Sequence, residues 1–176
     1  MRWGTALTHT LFDVEMATQY QRVMPSYHRV RARTPSGAAR IEFEPFISEA
    51  TRQFIVNGVD SYNIAATGLP EYFPVNFILR GECGDVLGGL LSQLWGSWLQ
   101  VTYLWVSEAA RRAGHGTRLM ARAENYARSR GALGATLETY SFQARPFYER
   151  LGYEVFATLE GYPPGHVRYC LRKALA

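Results

Sequence analysis

The sequence predicts an α/β domain of the α+β kind, with a mixed, mostly antiparallel central sheet flanked by helices. Three observations lead to this fold class. Two apolar segments of strand length surround a Gly96-Ser97 turn, which is typical of paired strands. An amphipathic helix then follows a glycine-containing loop, and its apolar face consists of Leu119, Met120, Ala123, Tyr126 and Ala127. Beyond that helix come a strand, a short helix and two strands, the order of a sheet with helices packed on it.

Composition limits the class of protein. A chain of 176 residues is long enough for one domain with one sizeable core, and its hydrophobic content of 47% favours a folded globular protein over a disordered one. The net charge of +4 suits a phosphate-bearing ligand, whereas no dense basic run interleaved with aromatic residues indicates nucleic-acid binding. Residues 86–107 carry no charge, but their glycines, glutamines and central turn favour two strands over a membrane span.

The cysteines and the N-terminus give an expected compartment. Cys83 and Cys170 form neither a disulfide framework nor a metal motif, so we expect two ordinary thiols and no metal. The first residues lack the compact apolar segment of a signal peptide. Together these features favour a cytoplasmic protein.

The elements follow in chain order. Residues 1–38 are predicted to form an N-terminal extension, helical or mobile, and residues 39–176 to form the domain. In the first half of the domain we expect a strand over 41–45, a helix from Ser48 toward Val59, an aromatic loop over 72–74 and a strand over 75–79. In the second half we expect strands over 86–94 and 98–106, a helix to Arg130 capped by Gly131, a strand over 133–140, a short helix with Pro146 in its first turn and Gly152 at its end, and strands over 153–159 and 167–171.

The strongest functional signal lies where the second strand of the pair meets the helix. There Arg111 and Arg112 precede two glycines, Gly114 and Gly116, that open the helix. Glycines let a backbone approach an anion closely, and the free amides of a first helical turn point at it. The two arginines add positive charge, and the Thr117 hydroxyl can donate a further hydrogen bond. We therefore expect this loop to bind a pyrophosphate.

Arg111-x-x-Gly114-x-Gly116 resembles the acyl-CoA-binding signature of the GCN5-related N-acetyltransferase (GNAT) family. The segment 147–153, Phe-Tyr-Glu-Arg-Leu-Gly-Tyr, resembles that family's second landmark, and the resemblance extends from about Ile41 to the C-terminus. It implies the acyl-CoA N-acyltransferase fold. A dinucleotide-binding site is the competing interpretation, but its fingerprint needs a third glycine where this chain has Leu119.

The resemblance implies an N-acetyltransferase in which a primary amine directly attacks acetyl-CoA, its co-substrate, in a ternary complex. The residues it places against coenzyme A are Val106, Arg111, Arg112, Ala113, Gly114, His115, Gly116 and Thr117. Tyr148 matches the family's tyrosine that protonates the departing sulfur, and a phenol with a pKa of about 10 holds its proton at neutral pH. A backbone amide near Trp105 or Val106 is expected to stabilise the oxyanion.

The general base is less well defined by the sequence. Some family members have a glutamate where this chain has Gln100, which cannot accept a proton usefully. Glu138 is the best remaining carboxylate, His166 is second, and a water chain without a single base is equally compatible. The family's frequent asparagine before the short helix is also absent, and Ser141 stands near that place.

The acceptor is expected to be a small molecule, with Tyr72, Phe73, Tyr162 and His166 as the residues that contact it. A small metabolite, an antibiotic amine, a polyamine and a protein N-terminus all stay open. The alternative function is a non-catalytic acyl-CoA-binding or sensing module, because the usual base is missing. No nucleic acid or membrane is expected as a partner, and a homodimer is left open.

Overall fold

The computed structural model of the protein describes residues 39–69 and 72–175. The chain divides into two compact units, with the division after residue 70. The predicted extension over residues 1–38 lies outside the described residues. That extension and the domain boundary at residue 39 therefore stay predictions.

The described part of the first unit contains one helix, α1 (Glu49–Thr67). Its predicted start is confirmed, because the Ser48 Oγ caps the helix by accepting a hydrogen bond from the Thr51 N–H at 3.1 Å. Its predicted end near Val59 is wrong. The helix continues through Gly58, since one glycine costs a helix only about 1 kcal/mol relative to alanine.

The predicted strand over 41–45 is also wrong. These residues are exposed and belong to no ladder of the described sheet. Apolar and charged residues alternate there, but alternation makes a strand only where a neighbouring backbone accepts its hydrogen bonds.

The second unit is built on a seven-stranded sheet. The strands are β1 (Phe73–Pro74), β2 (Phe77–Arg80), β3 (Val86–Trp95), β4 (Trp98–Val106), β5 (Gly134–Tyr140), β6 (Glu154–Glu160) and β7 (Val167–Ala174). Their order is β1-β3-β4-β5-β7-β6, and β2 also pairs with β3. Only β4 and β5 run parallel, so the predicted mixed, mostly antiparallel sheet is confirmed. The predicted aromatic loop over 72–74 is wrong in part, because Phe73 and Pro74 pair with β3.

Two helices of the second unit pack on this sheet, α2 (His115–Ser129) and α3 (Arg145–Arg150). The predicted apolar face of α2 is confirmed: Leu119, Met120, Ala123 and Ala127 are buried, and Tyr126 is partly buried against the same core. Gly131 follows the helix with φ 77°, as its predicted role as a cap requires. Among the described residues, no helix is long and apolar enough to cross a membrane.

A bulge in β4 and the early end of its pairing with β5 position the functional site. Leu91 lies opposite Tyr103 and Ser92 opposite Val101, so Thr102 is an extra residue in β4. The parallel β4–β5 ladder ends at the pair Val101–Leu137. Both strands continue beyond this pair, β4 to residue 106 and β5 to residue 140, and a gap therefore opens between them.

Candidate active site

The loop before α2 presents a run of unpaired backbone donors. Within residues 72–175, the six N–H groups from Arg112 to Thr117 donate no hydrogen bond, while the next one, from Arg118, reaches the Gly114 carbonyl at 3.1 Å. Three of these donors lie in the first turn of α2, which contains no acidic residue. The positive end of the helix dipole adds to them, so the loop has the chemistry that an anion needs.

The shape of this loop is fixed by its backbone and by two arginines. Arg112 and Gly114 both have left-handed backbones, with φ 64° and 75°. Arg118 donates hydrogen bonds to the Ala113 carbonyl at 3.3 Å and to His115 Nδ1 at 2.8 Å. Arg111 Nε donates to the Val106 carbonyl at 3.0 Å, which ties the loop to the end of β4. Successive N–H groups in such a backbone converge on one concave spot.

An open cavity of about 560 Å³ lies against the loop. All of the residues predicted to contact coenzyme A line this cavity except Ala113. The carbonyl of Ala113 instead accepts a hydrogen bond from Arg118. Five residues that were not predicted as cofactor contacts also line it: Leu104, Trp105, Ala110, Ala144 and Phe147. Phe147 could have been found from the sequence, because it belongs to the second landmark, the segment 147–153. Ala110 and Ala144 could not have been found in this way, because the sequence does not distinguish a small residue beside a pocket from a small residue in a core.

The end of β4 offers the cavity an unpaired backbone edge. Ser107 donates its N–H to Leu87 of β3 at 2.8 Å. Because antiparallel residues alternate between the two edges of a strand, Trp105 also faces β3, whereas Leu104 and Val106 direct their N–H and C=O groups toward the gap left by β5. The Arg111 bond to the Val106 carbonyl comes from that side.

Tyr148 lies on α3 with its ring packed edge-on against Phe147 and Tyr153, at centroid distances of 5.1 and 6.2 Å. Within the described residues its hydroxyl has no hydrogen-bond partner, and burial raises its pKa. Tyr148 is not among the residues that line the cavity, although Phe147 and Ala144 beside it are. The proton-donor role of Tyr148 stays a prediction.

The candidate bases lie on β5 and the β6–β7 turn. Glu138 is exposed, accepts a hydrogen bond from Arg168, and receives the Cys170 thiol at 3.7 Å. His166 Nδ1 lies 3.0 Å from the Ser141 hydroxyl. Gln100 accepts a hydrogen bond from Gln93 at 3.0 Å. The choice between Glu138 and His166 stays open.

The four predicted acceptor contacts fall into two groups within the second unit. Tyr72 lies 5.4 Å from the ring of Trp95, and Phe73 stacks on Tyr126 near the C-terminus of α2. Tyr162 and His166 lie instead beside the last residues of β5. The seven residues of β5 separate these ends of the sheet by about 20 Å. The fold therefore brings Tyr162 and His166 together near the gap, and leaves Tyr72 and Phe73 at the opposite end.

Comparison with known proteins gives the site its context. Residues 39–153 match the acetyltransferase (GNAT) family. The chain is 47% identical over 96 residues to a blasticidin-S acetyltransferase of Streptomyces morookaense, an alignment that covers 54% of this chain and 71% of that protein.

Solved structures share the fold. The structure of an acetyltransferase from Bacillus cereus ATCC 14579 superimposes with a TM-score of 0.65 at 26% identity, covering 76% of this chain and 97% of that one. An aminoglycoside 6′-N-acetyltransferase in complex with coenzyme A superimposes with a TM-score of 0.53 at 17% identity, covering 58% and 73% of the two chains. This last similarity shows the fold alone.

The family match spans most of the chain, and it includes both the glycine loop and the second landmark. The chain therefore belongs to the GNAT acetyltransferase family, and the protein is an acyltransferase.

Proposed function

We propose that the protein is an N-acetyltransferase that moves the acetyl group of acetyl-CoA to a primary amine of a small molecule, by direct attack in a ternary complex. The observation that carries this proposal is the row of six unpaired N–H groups around an open cavity. A row of that kind suits the pyrophosphate of coenzyme A. Arg111 and Arg112 on the cavity wall add charge of the matching sign.

The reaction needs three contributions from the protein. The neutral amine attacks the thioester carbonyl, and the carbonyl oxygen becomes an oxyanion. The Val106 N–H, which faces the gap, is the proposed donor to that oxygen, and the edge alternation of β4 favours it over Trp105. The tetrahedral carbon then expels the sulfur, which takes a proton from Tyr148 and leaves as a thiol. A base removes the proton of the attacking amine.

The acceptor class is drawn from the blasticidin-S acetyltransferase. Because that relative is 47% identical over the aligned residues, we propose an antibiotic amine as the first acceptor to test. Thiol release from acetyl-CoA is followed with blasticidin S and with a panel of small amines, polyamines and a peptide with a free N-terminus. Turnover confined to small amines is the expected result, and turnover confined to the peptide would contradict the acceptor class.

Binding and turnover together separate the transferase from the non-catalytic acyl-CoA-binding alternative. The expected binding result is a rise in melting temperature on titration with acetyl-CoA, since a ligand that binds only the native state stabilises it. No rise at saturating acetyl-CoA would overturn the proposal at its first step. A rise without thiol release for any amine would favour the alternative, for which the glutamine at position 100 is the motivating feature.

The base is identified with a pair of variants, Glu138→Gln and His166→Gln. Each change keeps a polar side chain of similar size and removes the group that takes the proton. A fall in kcat of about a hundredfold in one variant alone assigns the base to that residue. Wild-type kcat in both variants would instead favour the water chain.

A further inference from the structure

A group of aromatic side chains lies beside the gap between β4 and β5 and is not part of the lining of the cavity against the glycine loop. We call it the aromatic patch and define it as Tyr140, Phe142, Tyr162 and His166. Its rings touch in series: Tyr140 stacks on Phe142 at 5.3 Å and lies 6.2 Å from Tyr162, and His166 meets Phe142 edge-on at 4.9 Å.

Hydrogen bonds hold the patch in place. Ser141, between the first two rings, donates its N–H to the Val167 carbonyl at 2.8 Å, and its Oγ accepts the Val167 N–H at 3.2 Å. The same Oγ lies 3.0 Å from His166 Nδ1. The N–H of Tyr162 donates to the His166 carbonyl at 3.2 Å. These contacts join the end of β5 to the β6–β7 turn, so the rings are positioned before any ligand arrives.

The patch remains accessible although its rings are large and apolar. Phe142 is 57% exposed and Tyr162 is 50% exposed. Exposed aromatic surface is unfavourable in water by roughly 25 cal/mol per Å², so a cluster of such rings is typical of a binding surface. Polar groups border it: the Arg168 guanidinium lies 5.5 Å from the centre of the Tyr162 ring and pairs with Glu138.

The patch lies at the same gap as the reacting end of the cavity. Residues 138–140 of β5 continue past the last β4–β5 pair, along the gap that the Val106 N–H faces. Ala144, two residues after Phe142, lines the cavity together with Phe147. A molecule on the patch is therefore beside the proposed position of the acetyl group.

We propose that the aromatic patch is the acceptor site and that it selects amines whose skeleton carries a planar, unsaturated ring. This inference rests on the proposed function, which it extends to a substrate class. A planar ring can stack on the open surface of Phe142, and the electron-rich ring faces attract an ammonium group, as Tyr162 already attracts the guanidinium of Arg168. A linear aliphatic amine gains no stacking there.

The test compares benzylamine with cyclohexylmethylamine, two primary amines of the same charge and carbon count that differ in ring planarity. Binding of each is measured by a ligand-observed NMR titration of the protein alone, so the result depends on neither acetyl-CoA nor turnover. We expect benzylamine to bind about fivefold more tightly. Equal affinities, or tighter binding of cyclohexylmethylamine, would overturn the proposal.

Three variants to leucine test whether the preference for benzylamine arises at the aromatic patch. Phe142→Leu and Tyr162→Leu remove rings of the patch. Phe156→Leu is the matched control, because Phe156 is 51% exposed and lies 5.7 Å from an arginine guanidinium but belongs to β6. The preference for benzylamine should disappear in the first two variants and persist in the third. A preference that survives both patch variants, or falls equally in the control, would contradict the site.

The proposed function and the proposed acceptor site can be disproved separately. Failure of the proposed function appears as no rise in melting temperature with acetyl-CoA, while the patch still distinguishes the two amines. Failure of the patch appears as equal binding of the two amines by a protein that still binds acetyl-CoA.

Discussion

At the scale of single residues, the site depends on the backbone of Gly114. This residue caps α2 with φ 75°, and a Cβ built on it would meet nothing within 4 Å. The constraint at this position is therefore conformational, since L side chains rarely adopt such a backbone.

Gly114→Val should abolish the rise in melting temperature with acetyl-CoA, because valine would strain the loop and redirect the unpaired N–H groups. The matched control is Gly84→Val, at another open turn position with φ 85°. Each variant should be destabilised by about 1–3 kcal/mol, so only the ligand response distinguishes them. Loss of the acetyl-CoA response in both would show a general effect of destabilisation.

Tyr148→Phe should lower kcat by about a hundredfold while leaving the KM for acetyl-CoA nearly unchanged, because it removes only a proton donor. Tyr126→Phe is the control, a ring partly buried against the same core on α2. Steady-state kinetics of both variants make the test, and an unchanged kcat in Tyr148→Phe would remove the role of Tyr148 while leaving acetyl-CoA binding intact.

The pH dependence of this step has a definite sign. Burial raises the pKa of Tyr148 above 10.0, and an acid acts only while it retains its proton. Its contribution is therefore present at neutral pH and is lost as the pH rises through the raised pKa. The kcat profile of the wild type should show this loss only above pH 10, and the Tyr148→Phe profile should lack it. The assignment would be contradicted if the kcat of the wild type fell between pH 7 and 9 and this fall were absent in Tyr148→Phe.

At the scale of the elements, adjacent glycines set the spacing of β3 from both of its neighbours. A Cβ on Gly88 would lie 2.5 Å from the Trp105 carbonyl oxygen and 2.9 Å from Val106 Cα. A Cβ on Gly89 would lie 2.9 Å from the Phe77 carbonyl oxygen, on the β2 side. These contacts are with backbone atoms, so a strand must move to relieve them.

Gly88→Ala should therefore displace the end of β4 and the Val106 N–H, and lower kcat about tenfold or more through misplacement of the oxyanion donor. The affinity for acetyl-CoA should change by no more than about twofold, because the six donors of the loop stay in place. Gly89→Ala is the control, since it carries a similar steric conflict toward β2. Equal kcat values in the two variants would show that the spacing of β3 and β4 has no part in catalysis.

The elements also show which patterns a sequence can reveal. The apolar face of α2 and its glycine start were predictable, because helix periodicity and loop chemistry are local. The strand over 41–45 was wrong because pairing needs a partner that the local pattern does not specify. The gap between β4 and β5 was not predictable, since it depends on a register between residues that lie 36 positions apart, such as Val101 and Leu137.

At the scale of the whole second unit, a buried carboxylate joins distant parts of the chain. Glu124 is 4% exposed within the apolar face of α2. It accepts hydrogen bonds from Lys173 Nζ at 2.6 Å and from the Tyr153 hydroxyl at 3.2 Å, which lie 49 and 29 positions away. This cluster was not predictable from the sequence, because a glutamate on a helix is ordinarily solvated and its partners here are remote in the chain.

Glu124→Ala should lower the free energy of unfolding by about 3 kcal/mol, because it leaves the partly buried ammonium group of Lys173 without its counter-charge. Glu149→Ala, which breaks an exposed pair with Arg145, should lower it far less, because solvent screens that pair. Urea unfolding of both variants measures the difference. Similar losses in the two would contradict a structural role for the buried cluster.

The extra residue at position 102 has a consequence for how the gene can change. Leu99 and Val101 face the core before it, and Leu104 and Val106 face the same core after it. Between them, two consecutive side chains point outward. Loss of that single codon would join Val101 directly to Tyr103 and make the alternation regular, with Leu104 and Val106 still facing the core and Trp105 still facing outward. The pattern of β4 can therefore absorb the loss of this one residue, and what the strand would lose is the local bend and added twist that a bulge gives it.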